Sequence, residues 1–143
     1  MRPQPIIFLD VDGVIVTERS LRGGIDRFDR EAVANLNRLT EKTGARIVIS
    51  STWRCMSDVN AILRAAGVAG DFIGQTGVDR ESRGAEIAAW LEGFNIFAEP
   101  FVILDDDHDM GDLSDRLVRT GFEEGLTTAH VDQAIAILAN QSK

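Results

Sequence analysis

Residues Ile6-Ile7-Phe8-Leu9-Asp10-Val11-Asp12-Gly13-Val14 pass from an unbroken apolar stretch into two carboxylates and a glycine. A continuous apolar run reads as a strand covered on both faces, the habit of parallel sheets. Open α/β sheets place their sites at the carboxyl ends of such strands. Here that end carries Asp10 and Asp12. A second apolar run, Phe101-Val102-Ile103-Leu104, ends in Asp105-Asp106-Asp107, with Asp109 shortly after. Two strands therefore bring acids to one sheet edge, where they would repel each other unless a hard cation lay among them. A magnesium site containing a nucleophilic or basic aspartate is the first expectation.

Around these two runs, strands and helices alternate. Strand one covers residues 5–10, and residues 13–28, with Gly23-Gly24 and several arginines, read as irregular. Asp29 caps a helix with Ala32, Val33, Leu36 and Leu39 on one face and Gly44 as its stop. Strand two runs from Arg46 to Ser50. Ser57 caps a helix that reaches Ala66 and ends at Gly67, and a short strand spans Asp71 to Gln75. A helix from Gly84 to Glu92 buries Ile87, Trp90 and Leu91; strand four is Phe101 to Leu104. A short strand at Leu117-Val118 and a helix from His130 to Ala139 complete the pattern. The alternation predicts an α/β fold: a three-layer, Rossmann-like parallel sheet of about five strands, with helices on both faces.

The 143 residues suit one domain spanning 1–143. No apolar stretch is long enough to span a bilayer, and no signal peptide is visible ahead of strand one. Cys55 is the single cysteine, so no intrachain disulfide can form, and a cytoplasmic protein is expected. The net charge of -8 makes the chain a poor general binder of nucleic acid. A local basic patch is compatible with it. Lys42 and Lys143 are the only lysines; the other basic residues are arginines.

Asp10 and Asp12 could serve as turn residues that accept backbone N–H bonds. Their functional reading is a nucleophile and an acid/base. One carboxylate attacks phosphorus, while the other protonates the leaving oxygen and later activates water. Gly13 lets the chain turn sharply and approach a phosphate. The strand Ile47-Val48-Ile49 ends in Ser50-Ser51-Thr52-Trp53-Arg54. As small hydroxyl residues these suit a helix cap, or a phosphate cradle built from Ser50 and the amides after it. Asp105 or Asp106 is the expected direct metal ligand, with the other and Asp109 further out. The Asp12 backbone carbonyl is expected to face the metal. His108 is a poor candidate, because magnesium prefers oxygen. His130, Cys55, Trp53 and Trp90 read as structural. Arg83 opens a helix, either as a solvent-facing charge or as a clamp for a phosphoryl group.

Together these residues resemble the haloacid dehalogenase (HAD) superfamily of aspartyl-phosphate phosphatases. Asp10-Val-Asp12-Gly13-Val matches its first motif, Ser50 its second and Asp105-Asp106 its fourth. Ser51-Thr52-Trp53-Arg54, Arg83-Gly84-x-Glu86-Ile87 and Leu104-Asp105-Asp106 look more narrowly like the HAD domain of Swiss Army Knife RNA repair-like proteins. The resemblance implies a sheet in which strand one lies between strands two and four. It also implies magnesium held by Asp10, Asp12, Asp105 and Asp106, catalysis by Asp10, Asp12, Ser50 and a third-motif cation, and substrate contacts from Ser51, Thr52 and Arg54.

The chain departs from the family at the third motif, which is usually a lysine. Lys42 precedes strand two, at the wrong end of the sheet, and Lys143 is the last residue. Arg83 is the expected replacement, with Arg80 and Arg54 as fallbacks. Neither place where the family inserts a cap has room for a folded domain, so an open site is expected. An open site suits a large substrate, such as a nucleic-acid end or a phosphoprotein, unless a partner subunit covers it; a nucleotide or polynucleotide 3′ or 5′ phosphate is the expected substrate class. Arginines 19, 22, 27, 30 and 54 are candidates to ring its mouth. The leading expectation is a magnesium-dependent phosphomonoesterase. The alternatives are a regulatory domain that binds magnesium and phosphate without turnover, a phosphotransferase, or a dehalogenase, which the acid cluster disfavours.

Overall fold

The computed structural model describes residues 4–22, 27–51, 58–77, 82–93 and 99–141. Strands β1 (Ile6–Leu9), β2 (Arg46–Ile49), β3 (Asp71–Gln75), β4 (Phe101–Asp105) and β5 (Leu117–Arg119) form one parallel sheet in the order β3-β2-β1-β4-β5. Among the described residues the helices are α1 (Glu18–Arg22), α2 (Arg30–Thr43), α3 (Val59–Ala65), α4 (Arg83–Gly93) and α5 (Thr128–Gln141). A 3-10 helix spans Gly111–Arg116.

The alternation of side chains along each strand divides the core in two. Ile7 and Leu9 of β1, Ile47 and Ile49 of β2, and Val102 and Leu104 of β4 pack with residues of α2, α3 and α5. Ile6, Phe8, Val48, Phe101 and Ile103 face the other way, against Ile87, Trp90 and Leu91 of α4 and against Met110. Phe8 makes edge-on contacts with both Trp90 and Phe101. Both faces of the central strands are therefore dry, which is why they read as unbroken apolar runs. β1 lies between β2 and β4, as the family resemblance implied. The connection from β1 leads toward β2 and that from β4 toward β5, so the sheet's switch point lies between β1 and β4.

The ends of α2 follow local chemistry. The Asp29 carboxylate accepts the Glu31 and Ala32 amides at 3.0 and 3.1 Å, and Gly44 takes the left-handed conformation at φ 69°. Two local expectations need correction. Residues 13–28 are not irregular throughout, because α1 forms within them. Thr17 and Ser20 cap it reciprocally, each hydroxyl accepting the other's amide at 3.1 and 2.9 Å. The last helix begins at Thr128 rather than His130, since the Thr127 carbonyl already accepts the Val131 amide. The proposed cap Ser57 lies outside the described residues. Among the described residues, the connection from β1 to α2 holds only a turn and α1, with no second domain. No described helix is long and apolar enough to cross a membrane.

Candidate active site

The sheet register places the chemistry. Leu9 pairs with Ile49 on one side and Leu104 on the other. One residue further, the ladder continues: the Asp10 amide donates to the Leu104 carbonyl and the Ser50 amide to the Leu9 carbonyl, each at 2.9 Å. Asp10, Ser50 and Asp105 thus stand in one row across the carboxyl edge. By strand alternation this row shares the face of Phe8, Val48 and Ile103, which is the face covered by α4. Arg83, the first residue of α4, meets it there.

Arg83 Nη1 lies 3.0 Å from Asp105 Oδ2 and 3.5 Å from Asp10 Oδ1, and it also donates to the Ser50 carbonyl. Its Nε lies 3.5 Å from Oε1 of the buried Glu86, one turn along α4. The guanidinium is thereby held between its own helix and two strand ends. Ser82 caps α4, its Oγ accepting the Ala85 amide at 3.1 Å. Gly84 lets that helix start approach the acidic loop. Its amide donates to the Asp109 carbonyl at 3.0 Å, and a Cβ there would fall 2.4 Å from the Met110 carbonyl oxygen.

Asp10, Asp105 and Asp106 each offer a carboxylate oxygen, all within 4.8 Å of one another. Around one octahedral magnesium, with ligands at about 2.0–2.1 Å, two oxygens stand at most about 4.2 Å apart. Modest side-chain movement would close the set on an ion. The charges agree in sign: Asp10, Asp105 and Asp106, with Glu86 beside Arg83, outnumber the one guanidinium, which leaves net negative charge for a cation to offset. Asp10 and Asp105 are 6% and 1% exposed. Burial first, and then the neighbouring Asp105 carboxylate, push Asp10 up to about 8 against the pull of Arg83. Burial likewise raises Asp105. In the metal-free protein a proton does part of the neutralising that a cation would do. The donor set therefore fits a hard divalent metal.

Gly13 has φ +82°, and a Cβ there would lie 2.2 Å from Asp106 Oδ2. The glycine thus serves both the turn and the close approach of the two acid loops. Within that turn the amides of Val14, Ile15 and Val16 all point at the Val11 carbonyl, at 3.0–3.2 Å. Asp12 is exposed and stands outside the three-carboxylate set. Asp109 is also exposed, and its carbonyl accepts the Gly84 amide. His108 is exposed and pairs with Asp107.

Ser50 is fully buried, and its Oγ has no hydrogen-bond partner among the described residues. The same is true of Oγ1 of Thr76, which follows β3 in the neighbouring register position. Ser51 is buried. Thr52, Arg54 and Arg80 lie outside the described residues, as do Trp53, Cys55 and Lys143. Lys42 is in the last turn of α2, away from the site. Of the arginines expected at the mouth, Arg19 is engaged with Asp29 and Glu31, and Arg22 with Glu18. Sequence reading did not single out Thr76 or Thr120, since lone threonines at strand ends carry no signal. Glu86 has a signal that the sequence does carry: the Arg-x-x-Glu spacing, one helical turn, links it to Arg83.

A family model described as the HAD domain in Swiss Army Knife RNA repair proteins matches residues 6–131. The match takes in β1 through the start of α5, and with them every residue of the cluster. No curated protein matches the chain.

Proposed function

Because the chain belongs to the family of HAD domains in Swiss Army Knife RNA repair proteins, we propose that it is a magnesium-dependent phosphomonoesterase working through an aspartyl phosphate. The family points to the phosphatase branch of the hydrolases in general. The observation that carries the finer reading is the convergence of Asp10, Asp105 and Asp106 with Arg83 at the sheet's switch point.

In this reading an Asp10 carboxylate oxygen attacks the phosphorus. The bond from phosphorus to the leaving alkoxide breaks, and Asp12, as the carboxylic acid, gives that oxygen its proton. The ionised Asp12 then takes a proton from water, whose oxygen attacks the phosphorus of the aspartyl phosphate. The bond to Asp10 breaks, and inorganic phosphate leaves. Arg83 and the orphaned Ser50 hydroxyl serve as donors to the phosphoryl oxygens, with Ser51, Thr52 and Arg54 as further substrate contacts. Asp10, Asp105, Asp106 and the Asp12 carbonyl would hold the magnesium, which supplies neutralisation of the phosphoryl charge when bound.

The substrate class we assign is a nucleotide or polynucleotide end phosphate. The family's description and the absence of a cap domain among the described residues support it. A cytoplasmic location accords with a single cysteine. Hydrolysis of an aryl phosphate, with magnesium and with chelator, tests the reaction; 3′- and 5′-phosphorylated oligonucleotides test the substrate. Magnesium-dependent turnover that is lost in Asp10→Asn is expected. Phosphate binding without turnover in the wild type would favour the non-catalytic binding domain.

A further inference from the structure

The two acid-bearing loops come from strands whose sequences lie far apart, and both meet the end of β5. The buried Thr120 hydroxyl donates to the Gly13 carbonyl at 2.5 Å, across 107 residues of chain. Its amide donates to the Asp105 carbonyl at 3.0 Å. The preceding residue, Arg119, donates from Nε to the Asp106 carbonyl at 3.2 Å. Two consecutive residues therefore hold the loop after β1 once, the last residue of β4 once and the loop after β4 once. The grip lies where Asp106 Oδ2 crowds Gly13. Among these three bonds, the Thr120 hydroxyl makes the only one to the first loop.

We propose that Thr120 is a positioning residue for the metal site: its hydroxyl holds the Asp10–Gly13 turn against the Asp105–Asp106 loop. The inference rests on the carboxylate cluster being a metal site. Loops that carry like charges tend to part, and a cluster that must be gathered again on binding holds its ion less tightly. Groups behind metal ligands typically change affinity about 10–100-fold when removed. Thr120→Val keeps the shape and removes the donor, whereas Thr120→Ser keeps the donor. Thr40→Val is the control. Thr40 is also buried, but its hydroxyl bonds to the Asn37 carbonyl within α2, away from the cluster.

Calorimetric titration with magnesium alone, well below each variant's melting temperature, gives the readout. Thr120→Val should bind roughly tenfold more weakly than wild type. Thr120→Ser and Thr40→Val should bind as wild type, whatever their melting temperatures. Equal affinity in wild type and Thr120→Val would overturn the positioning role. No binding by the wild type would instead overturn the metal site itself. If Thr120→Val does not fold, amide spectra of the wild type carry the test. Magnesium should then shift the Thr120 signal together with those of Asp10–Gly13. A Thr120 signal that stays still while those move would overturn the inference.

Discussion

In the proposed mechanism Arg83 takes the place of the lysine that the family usually places third, and its geometry suits arginine to that role. One guanidinium reaches Asp10, Asp105, the Ser50 carbonyl and Glu86 together, which a lysine's compact ammonium would not do from one helix start. Arg83→Ala should lower kcat about 10²–10³-fold on an aryl phosphate. Arg83→Lys should recover only part of that loss. Near wild-type kcat in Arg83→Ala would remove the residue from the chemistry. At Gly13 the effect should fall on the metal. An alanine Cβ would lie 2.2 Å from Asp106 Oδ2 and 2.8 Å from Asp106 Cβ, which no rotamer moves, so the two loops must part as well as bear the strain of φ +82°. Gly13→Ala should therefore melt clearly lower and, because the acid loops are pushed apart, bind magnesium at least about tenfold more weakly, as melts and titration would reveal. Asp10, Asp12 and Gly13 were legible in the sequence because the motif is contiguous. Thr120 was not, because its partner is a backbone carbonyl 107 residues away.

At the scale of elements, α4 and α2 separate function from stability. The start of α4 is pressed against the Met110 backbone at Gly84, whereas Gly93 at its other end has open space. Backbone cannot yield as a side-chain tip can. Gly84→Ala should push the helix start off the acidic loop, carry Arg83 with it and reduce both kcat and stability. Gly93→Ala should leave activity unchanged. Equal kcat in the two variants would show that the docking of α4 does not set the position of Arg83. The start of α2 is a structural device. Asp29 caps the helix while accepting from Thr17 at 2.7 Å and from Arg19 at 2.9 Å. Burial works against its ionisation, but these donors and the Ala32 amide outweigh it and hold Asp29 below the usual carboxylate range. Its contribution is therefore present above the unfolded value near 3.8 and is lost as pH falls through the lower folded value. Asp29→Ala should cost about 2 kcal/mol in urea denaturation at neutral pH, and less in acid. The cap itself was readable from Asp29 ahead of the periodic Ala32, Val33, Leu36 and Leu39. The α1 turn was not, since its Thr17–Ser20 exchange uses two weak helix formers that ordinarily mark loops.

For the whole molecule, the acid cluster links stability to pH and metal. Asp10 is raised from 3.8 to about 8, so between these values the folded protein keeps a proton that the unfolded chain has released. The cluster's contribution to metal-free stability therefore falls as pH rises from about 4 to about 8. Saturating magnesium should raise the melting temperature and flatten that fall, because the ion replaces the proton. Asp10→Asn should remove most of the slope. Thermal melts across this range, with and without magnesium, make the comparison; an unchanged slope in Asp10→Asn would assign the dependence elsewhere. The α/β alternation, the dry central strands and the acids at strand ends are written in the linear chain. These are properties of short contiguous stretches, governed by side-chain periodicity and local capping. That Asp10, Ser50 and Asp105 share a row, that Arg83 closes over it, and that Thr120 bonds to both acid-bearing segments emerges only on folding. Those facts depend on the register between strands and on the docking of α4, which arise when distant segments bury their faces against one another.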